Sequence, residues 1–218
     1  MKKILALFLA CILCFGLCAC GEKEGSATET KPTADPIPTA QLKETVSTDI
    51  VDLTLESSKL THYVSNVSTN YVEPTETPNT LYAAKIGTCY VSMTVTITNK
   101  DRGGSLDFCG GFSAWDPADW SVTYNEKEYE MYGFDLNMDD YDNISLSYGA
   151  ILNKETGEVI DRVGSNNKLI SAGETVTLRF FGIIKEDPKS LNDGFELNVK
   201  VPNSKGETEN FKYIVPAI

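Results

Sequence analysis

The stretch YVSMTVTITN, Tyr90 to Asn99, decides how this chain is read. Val91, Met93, Val95 and Ile97 alternate with Ser92, Thr94, Thr96 and Thr98. A period of two puts the apolar row on a core and the hydroxyl row outside, so the segment is a β-strand buried on one face. It runs into Asn99-Lys100-Asp101-Arg102-Gly103-Gly104, a turn by composition.

The same pattern recurs on both sides. Upstream, Ile50, Leu53, Leu55 and Leu60 predict a first strand or two, and Tyr63, Val64 and Val67 another. The segment NYVEPTETPNTLYA from Asn70 to Ala83, with Pro74 and Pro78, reads as a loop. Downstream, Ser105 to Cys109 predicts a short strand. Trp120, Val122 and Tyr124 alternate before an Asn125-Glu126 turn into Lys127 to Tyr132. Ile144, Leu146 and Tyr148 alternate again, and Lys154-Glu155-Thr156-Gly157 separates apolar patches around Ile151 and Ile160 as a hairpin. Ser171-Ala172-Gly173-Glu174 introduces a run from Val176 to Ile184. Phe195, Leu197, Val199 and Val201, then Phe211, Tyr213 and Val215, close the chain. No helical period is sustained after Val46, although Pro188 to Asp193 has room for one short helical turn. Roughly eight to ten short strands with turns between them predict an all-β antiparallel sandwich, each sheet burying one face.

Four segments carry a family resemblance: YVSMTVTITN itself, WSVTYNEKEY from Trp120 to Tyr129, the Ile170-Ser171-Ala172-Gly173-Glu174 turn before a Val-x-Leu-x-Phe strand, and the closing FKYIV. Together they resemble the immunoglobulin-like domains of unknown function on Gram-positive surface lipoproteins, which are similar in fold to small secreted immunogenic sandwich antigens. The resemblance spans most of Ile50 to Val215 and implies an immunoglobulin-like β-sandwich. Its motifs are strand and turn patterns, and it brings no catalytic residues.

The N-terminus sets the expected address. Lys2 and Lys3 precede an almost unbroken apolar run from Ile4 to Ala19, which ends in Leu17-Cys18-Ala19-Cys20-Gly21. This resembles the bacterial lipoprotein signal, with an aliphatic residue three places before the cysteine and a small one just before it. An ordinary secretion signal would also use Ala19 at its cut but leaves Cys20 unexplained. An uncleaved anchor is disfavoured, because the apolar run falls short of the roughly 20 residues that span a bilayer core. The expected organisation is therefore a signal peptide over 1–19, a lipidated Cys20 with a disordered tether over 20–45, and a sandwich over 46–218. The tether, rich in Thr, Glu, Pro and Ala without apolar period, cannot offset its ordering entropy by burial. The expected location is the extracellular face of the cell membrane, reached through the lipid.

Formal net charge is −12 for the whole chain. Loss of Lys2 and Lys3 with the leader leaves 17 basic residues against 31 acidic ones, a net charge near −14. Such a surface repels nucleic acid and anionic headgroups, keeps an exported protein soluble, and tolerates divalent cations or basic partners.

Three of the six cysteines lie in the leader and Cys20 takes the lipid, so Cys89 and Cys109 remain for the fold. A disulfide between them would suit an oxidising exterior and contribute about 3 kcal/mol in the chain-entropy model. Strand parity opposes it, since Cys89 is in phase with Val91 and Met93 whereas Cys109 is out of phase with Leu106 and Phe108. A bulge at Gly110-Gly111 would restore the geometry, so both arrangements stay open.

Candidate sites are few. Asp135, Asn137 and Asp139 match the first three oxygen ligands of a calcium loop, but Asp140 and Leu146 stand where that loop needs glycine and glutamate. A different calcium site or an acidic solvated loop both fit. His62 is the only histidine and no nucleophile motif accompanies it, so it is expected to be structural. Cys89, Cys109 and His62 are too scattered for a zinc site. Among aromatics, Trp120 reads as core, and Trp115 in the Ser113 to Pro117 loop is the ligand-facing candidate, with packing over the sandwich mouth as the alternative. The chain thus predicts a lipid-anchored, non-catalytic binding or interaction module with a protein or cell-wall partner and no required cofactor. A structural envelope lipoprotein and a carboxylate-dependent hydrolase are the alternatives.

Overall fold

The computed structural model describes residues 36–65, 81–108, 115, 119–131, 150–162 and 168–218. The leader, Cys20, most of the expected tether, Cys109, Asp135, Asn137 and Asp139 lie outside the described residues.

Every regular element among the described residues is a strand. In chain order they are β1 (Thr39–Gln41), β2 (Thr45–Ser47), β3 (Val51–Thr61), β4 (Tyr63–Ser65) and β5 (Leu81–Ala83). Next come β6 (Cys89–Asn99), β7 (Leu106–Phe108), β8 (Ser121–Tyr124), β9 (Lys127–Glu130) and β10 (Ala150–Leu152). The last five are β11 (Val159–Arg162), β12 (Lys168–Ile170), β13 (Thr175–Ile184), β14 (Phe195–Pro202) and β15 (Thr208–Val215). One sheet is ordered β1-β15-β14-β8-β9 and the other β11-β10-β13-β6-β3-β2, with β12-β7 and β4-β5 as separate pairs. Named pairs are antiparallel except β1 with β15, which run parallel. The protein is a β-sandwich.

β6, the strand that decided the reading, lies inside the larger sheet, paired with β13 from Cys89 to Thr98 and with β3 from Tyr90 to Asn99. Its apolar row Val91, Met93, Val95 and Ile97 is fully buried. Leu178 and Phe180 of β13 join it, facing Val122 of β8, Leu197 and Val199 of β14 and Tyr213 of β15. Burying each such side chain contributes about 1.5–3 kcal/mol, which is why single-sided rows suffice to hold two sheets together. Where β13 passes Met131 the packing is close: a Cβ on Gly182 would lie 2.6 Å from the Met131 sulfur, so a larger residue there would force the methionine side chain to move.

β3 is one strand with a register shift between Leu55 and Ser57. Glu56 is the extra residue of a bulge, which converts the inward row Val51, Leu53, Leu55 into Ser58 and Leu60 without exposing Leu60. The Tyr213 hydroxyl crosses the sandwich, donating to Leu53 O at 2.7 Å and lying 3.0 Å from Glu44 O.

Among the described residues the sandwich already includes Thr39–Gln41, ahead of Val46. Thr39 to Gln41, expected to belong to the tether, instead form β1 on one sheet, and β2 on the other sheet opens at the tether's last expected residue, Thr45. The sequence conceals this because Thr39, Gln41, Lys43 and Glu44 are polar. Ala40 alone is buried in β1, and its pairing partner lies at the far end of the chain. The turn at Asn125-Glu126 is as expected, both residues having positive φ as a tight hairpin requires. Residues 188–193 form bends and turns instead of a helical turn.

Candidate functional site

Trp115, for which the sequence leaves facing a ligand and packing over the sandwich mouth both open, is turned inward and only 3% exposed. Its ring meets Phe108 edge-on at 4.7 Å, and its indole Nε1 donates to Lys200 O at 2.6 Å. Trp120 Nε1 reaches the same carbonyl at 3.3 Å. With Phe180 at 5.7 Å from both Phe108 and Trp120, the two indoles form an aromatic plug between the sheets. Packing wins because the indole N–H finds a backbone partner inside, so the large ring is buried without losing a hydrogen bond.

His62 and Cys89 lie at one end of the larger sheet, close to the loop after β13. His62 Nε2 pairs with Asp187 Oδ1 at 2.9 Å on the surface. Cys89 is a free, buried thiol whose Sγ lies 3.4 Å from Thr61 O. Burial pushes that thiol up to about 11, the Thr61 hydrogen bond pulls the other way, and the Asp187 charge adds to the rise. At neutral pH it is therefore a neutral thiol, a poor nucleophile. Two other acids of the same loop are capped by tyrosines: Tyr124 donates to Asp193 Oδ2 at 2.7 Å and Tyr129 to Glu186 Oε2 at 2.5 Å. The hydrogen bond to Glu186 is the main reason the Tyr129 phenol is pushed up to about 12.

A trough of about 630 Å³ lies elsewhere, on the outer face of the five-stranded sheet. Pairing places Asn198 of β14 opposite both Ser121 of β8 and Lys212 of β15, Ser121 opposite Glu130, and Thr123 opposite Glu128. These residues alternate with the buried rows Leu197, Val199 and Val122, so strand periodicity alone brings them to one surface. Asn198 Nδ2 is 3.0 Å from Ser121 Oγ, 3.0 Å from Thr123 Oγ1 and 3.4 Å from Glu128 Oε1. Ser121 Oγ also donates to Glu128 Oε1. The amide donors of Asn198 are thus held within the sheet and its carbonyl oxygen is left as an acceptor. Lys212 is braced by Glu196 at 2.7 Å. Ile37, 49% exposed, forms one margin. Charge is nearly balanced along the lining, with Asp119, Glu128 and Glu130 against Lys200 and Lys212, although the protein as a whole is strongly acidic. None of these residues was singled out in the sequence. Their signal is the polar row out of phase with Leu197 and Val199, which any solvent-facing row would also give. Among the described residues there is no cluster of three or more His, Cys, Asp or Glu spaced to hold a metal.

Comparison with solved structures finds an uncharacterized beta-sandwich protein from Clostridium difficile, 16% identical, with a TM-score of 0.50. The match covers 85% of this chain and 99% of that one. The likeness is one of fold. No protein-family model matches the sequence, and no curated protein does.

Proposed function

We propose that the chain is a lipid-anchored extracellular binding module, held at the membrane through Cys20, whose immunoglobulin-like sandwich offers the trough on its five-stranded sheet to a polyhydroxylated, glycan-type ligand. The observation that carries the binding reading is the trough itself. Its donors and acceptors are interleaved, its charge is nearly neutral on an acidic protein, and its volume falls within the range of small-molecule sites. A ligand rich in hydroxyls both donates and accepts, so it can satisfy such a lining where a charged ligand would meet one sign of charge opposed by the other.

The strand order supports the immunoglobulin-like part. In constant-type immunoglobulin sandwiches one sheet runs A-B-E-D and the other C-F-G. Taking β3, β6, β8, β10, β13, β14 and β15 as A to G gives β3-β6-β13-β10 and β8-β14-β15, the orders observed. The buried Trp120 immediately precedes β8, in keeping with the tryptophan of strand C. β14 has no cysteine, so packing and the Tyr213 bond across the sheets stand in for the disulfide such domains often carry.

Two measurements test the proposal. Titration with a chito-oligosaccharide, followed by amide chemical shifts, should move Ser121, Thr123 and Asn198 saturably, and Asn198→Ala should weaken binding about threefold to tenfold, the value of about one hydrogen bond. Unmoved shifts at millimolar sugar would sink the glycan reading. For the anchor, Cys20→Ala should release the protein from membranes into the medium, and retention in the membrane fraction would contradict lipidation.

A further inference from the structure

The outer face of the six-stranded sheet carries a second hollow, of about 310 Å³, lined by Lys59, Arg179, Ser92, Thr94, Ser57 and Tyr63 among others. Sheet register explains the gathering. Ser57, Thr94 and Arg179 stand in one cross-strand row, and Lys59, Ser92 and Phe181 in the next. Two cations on separate strands therefore flank a floor of serine and threonine hydroxyls contributed by the strand between them. The bulge at Glu56 is what turns Ser57 and Lys59 to this face, since strict alternation carried on from Leu55 through Glu56 would turn both inward.

What sets the hollow apart is the company its cations keep. Elsewhere in the domain half-buried lysines have carboxylates close by: Lys100 has Asp52 at 2.7 Å and Lys212 has Glu196 at 2.7 Å. The chain has 31 acidic residues against 19 basic ones, so partners are in surplus. Yet Arg179, half-buried, and Lys59 have no ion-pair or hydrogen-bond partner among the described residues. The carboxylate nearest along β3, Glu56, is engaged elsewhere, accepting from Thr96 Oγ1 at 2.6 Å and lying 3.8 Å from Lys154. Burial of Arg179, unopposed by any carboxylate, lowers its affinity for the proton, the mark of a desolvated charge without compensation. A guanidinium stays charged in this setting, so the uncompensated charge persists.

We propose that this hollow is a binding site for an anionic phosphate group, held between Lys59 and Arg179 with the hydroxyls of Ser92 and Thr94 donating to its oxygens. Arg179 supplies a planar fork suited to two phosphate oxygens, and Lys59 supplies a mobile point charge. Because the protein as a whole is strongly acidic, attraction of an anion here is local to these two cations. A soluble phosphate ester and the headgroup of an anionic lipid share this chemistry.

The test uses the full chain in nonionic detergent, with calorimetry and the Arg179 side-chain NMR resonance as readouts. Inorganic phosphate and glycerol phosphate form one arm; micelles doped with phosphatidylglycerol, against phosphatidylcholine as control, form the other. Saturable binding that shifts the Arg179 resonance is expected, weakened about tenfold or more in Arg179→Gln and about threefold in Lys59→Gln, in line with losing a charge-assisted hydrogen bond at each. Binding in the soluble arm identifies a free phosphate ester, and binding only to phosphatidylglycerol identifies a lipid headgroup. Lys59 is exposed, so its variant folds even if Arg179→Gln does not. No saturable binding in either arm, or binding that Lys59→Gln leaves unchanged, overturns the proposal.

Discussion

Replacing Asn99 with alanine should damage the fold more than its modest volume suggests. Asn99 closes β6, is 0% exposed, and ties the turn after β6 to the end of β12 through one side chain. Its Nδ2 donates to Gly104 O at 3.0 Å and to Ile170 O at 2.9 Å, and its Oδ1 accepts from Asp101 N at 2.9 Å. Its backbone adds a bond from Asn99 N to Glu174 O and another from Gly173 N to Asn99 O, so the same residue anchors the turn before β13. Alanine keeps the backbone bonds and removes the three side-chain ones. Each partner left buried without a mate costs about 1–3 kcal/mol, and allowing for partial access of water to the Asp101 turn the expected loss is about 3–5 kcal/mol. For a domain of this size that is a fall in Tm of about 10 °C or more. Asn99→Asp separates hydrogen bonding from volume. Its carboxylate would face two carbonyl oxygens, so its folded-state pKa is raised and the variant is most stable at low pH, losing stability as pH rises past the ordinary carboxylate range. Urea denaturation of the three proteins at neutral and acidic pH is the measurement. A loss under about 1 kcal/mol in Asn99→Ala, or an Asn99→Asp variant without pH dependence, would refute the reasoning.

Alkaline stability offers a second check. Tyr213 is pushed up to about 12 mainly by burial, and Tyr129 to about 12 mainly by its bond to Glu186. Groups with raised folded-state values contribute stability that is complete below pH 10 and lost as pH rises toward 12, so denaturant midpoints should fall over that interval, less steeply in Tyr213→Phe. A flat midpoint from pH 10 to 12 would contradict the assignment. Deletion of Glu56 should be tolerated with a cost below about 2 kcal/mol, because it restores simple alternation from Leu55 to Ser58 and Leu60 in a strand whose inward row is otherwise unchanged. A protein that fails to fold on losing Glu56 would show that the bulge carries more than register.

Much of the fold was legible. The alternation in β6, β8, β14 and β15 is strong because each strand has one buried and one wet face, and the two turns carry an asparagine, Asn125, and a glycine, Gly173, that tolerate positive φ. The start of the domain was not legible. β1 is held by parallel pairing with β15, nearly the whole domain away in sequence, and by one buried alanine, a contribution no local window records. A loop position leaves Trp115 open to facing a ligand or packing over the sandwich, and the hydrogen bond to Lys200 O that draws the indole inward is a contact between distant segments that no local window records. Neither surface hollow was readable, since a row of Ser, Thr, Asn and Lys looks the same whether it meets water or a ligand.

The sequence by itself determined the class of fold: periodicity and turn chemistry are local, and one buried face per strand leaves an all-β sandwich as the architecture that hides every apolar row. It also supplied the expectation of a lipid-bearing Cys20, a motif that needs no folding to be read. Tertiary structure alone decided which strands became neighbours, where the domain began, that both indoles would share one carbonyl, and that Lys59 and Arg179 would meet across a strand without an acid between them. Those outcomes depend on register and on partners brought together from far along the chain, and the energies that select them arise only when the two sheets close.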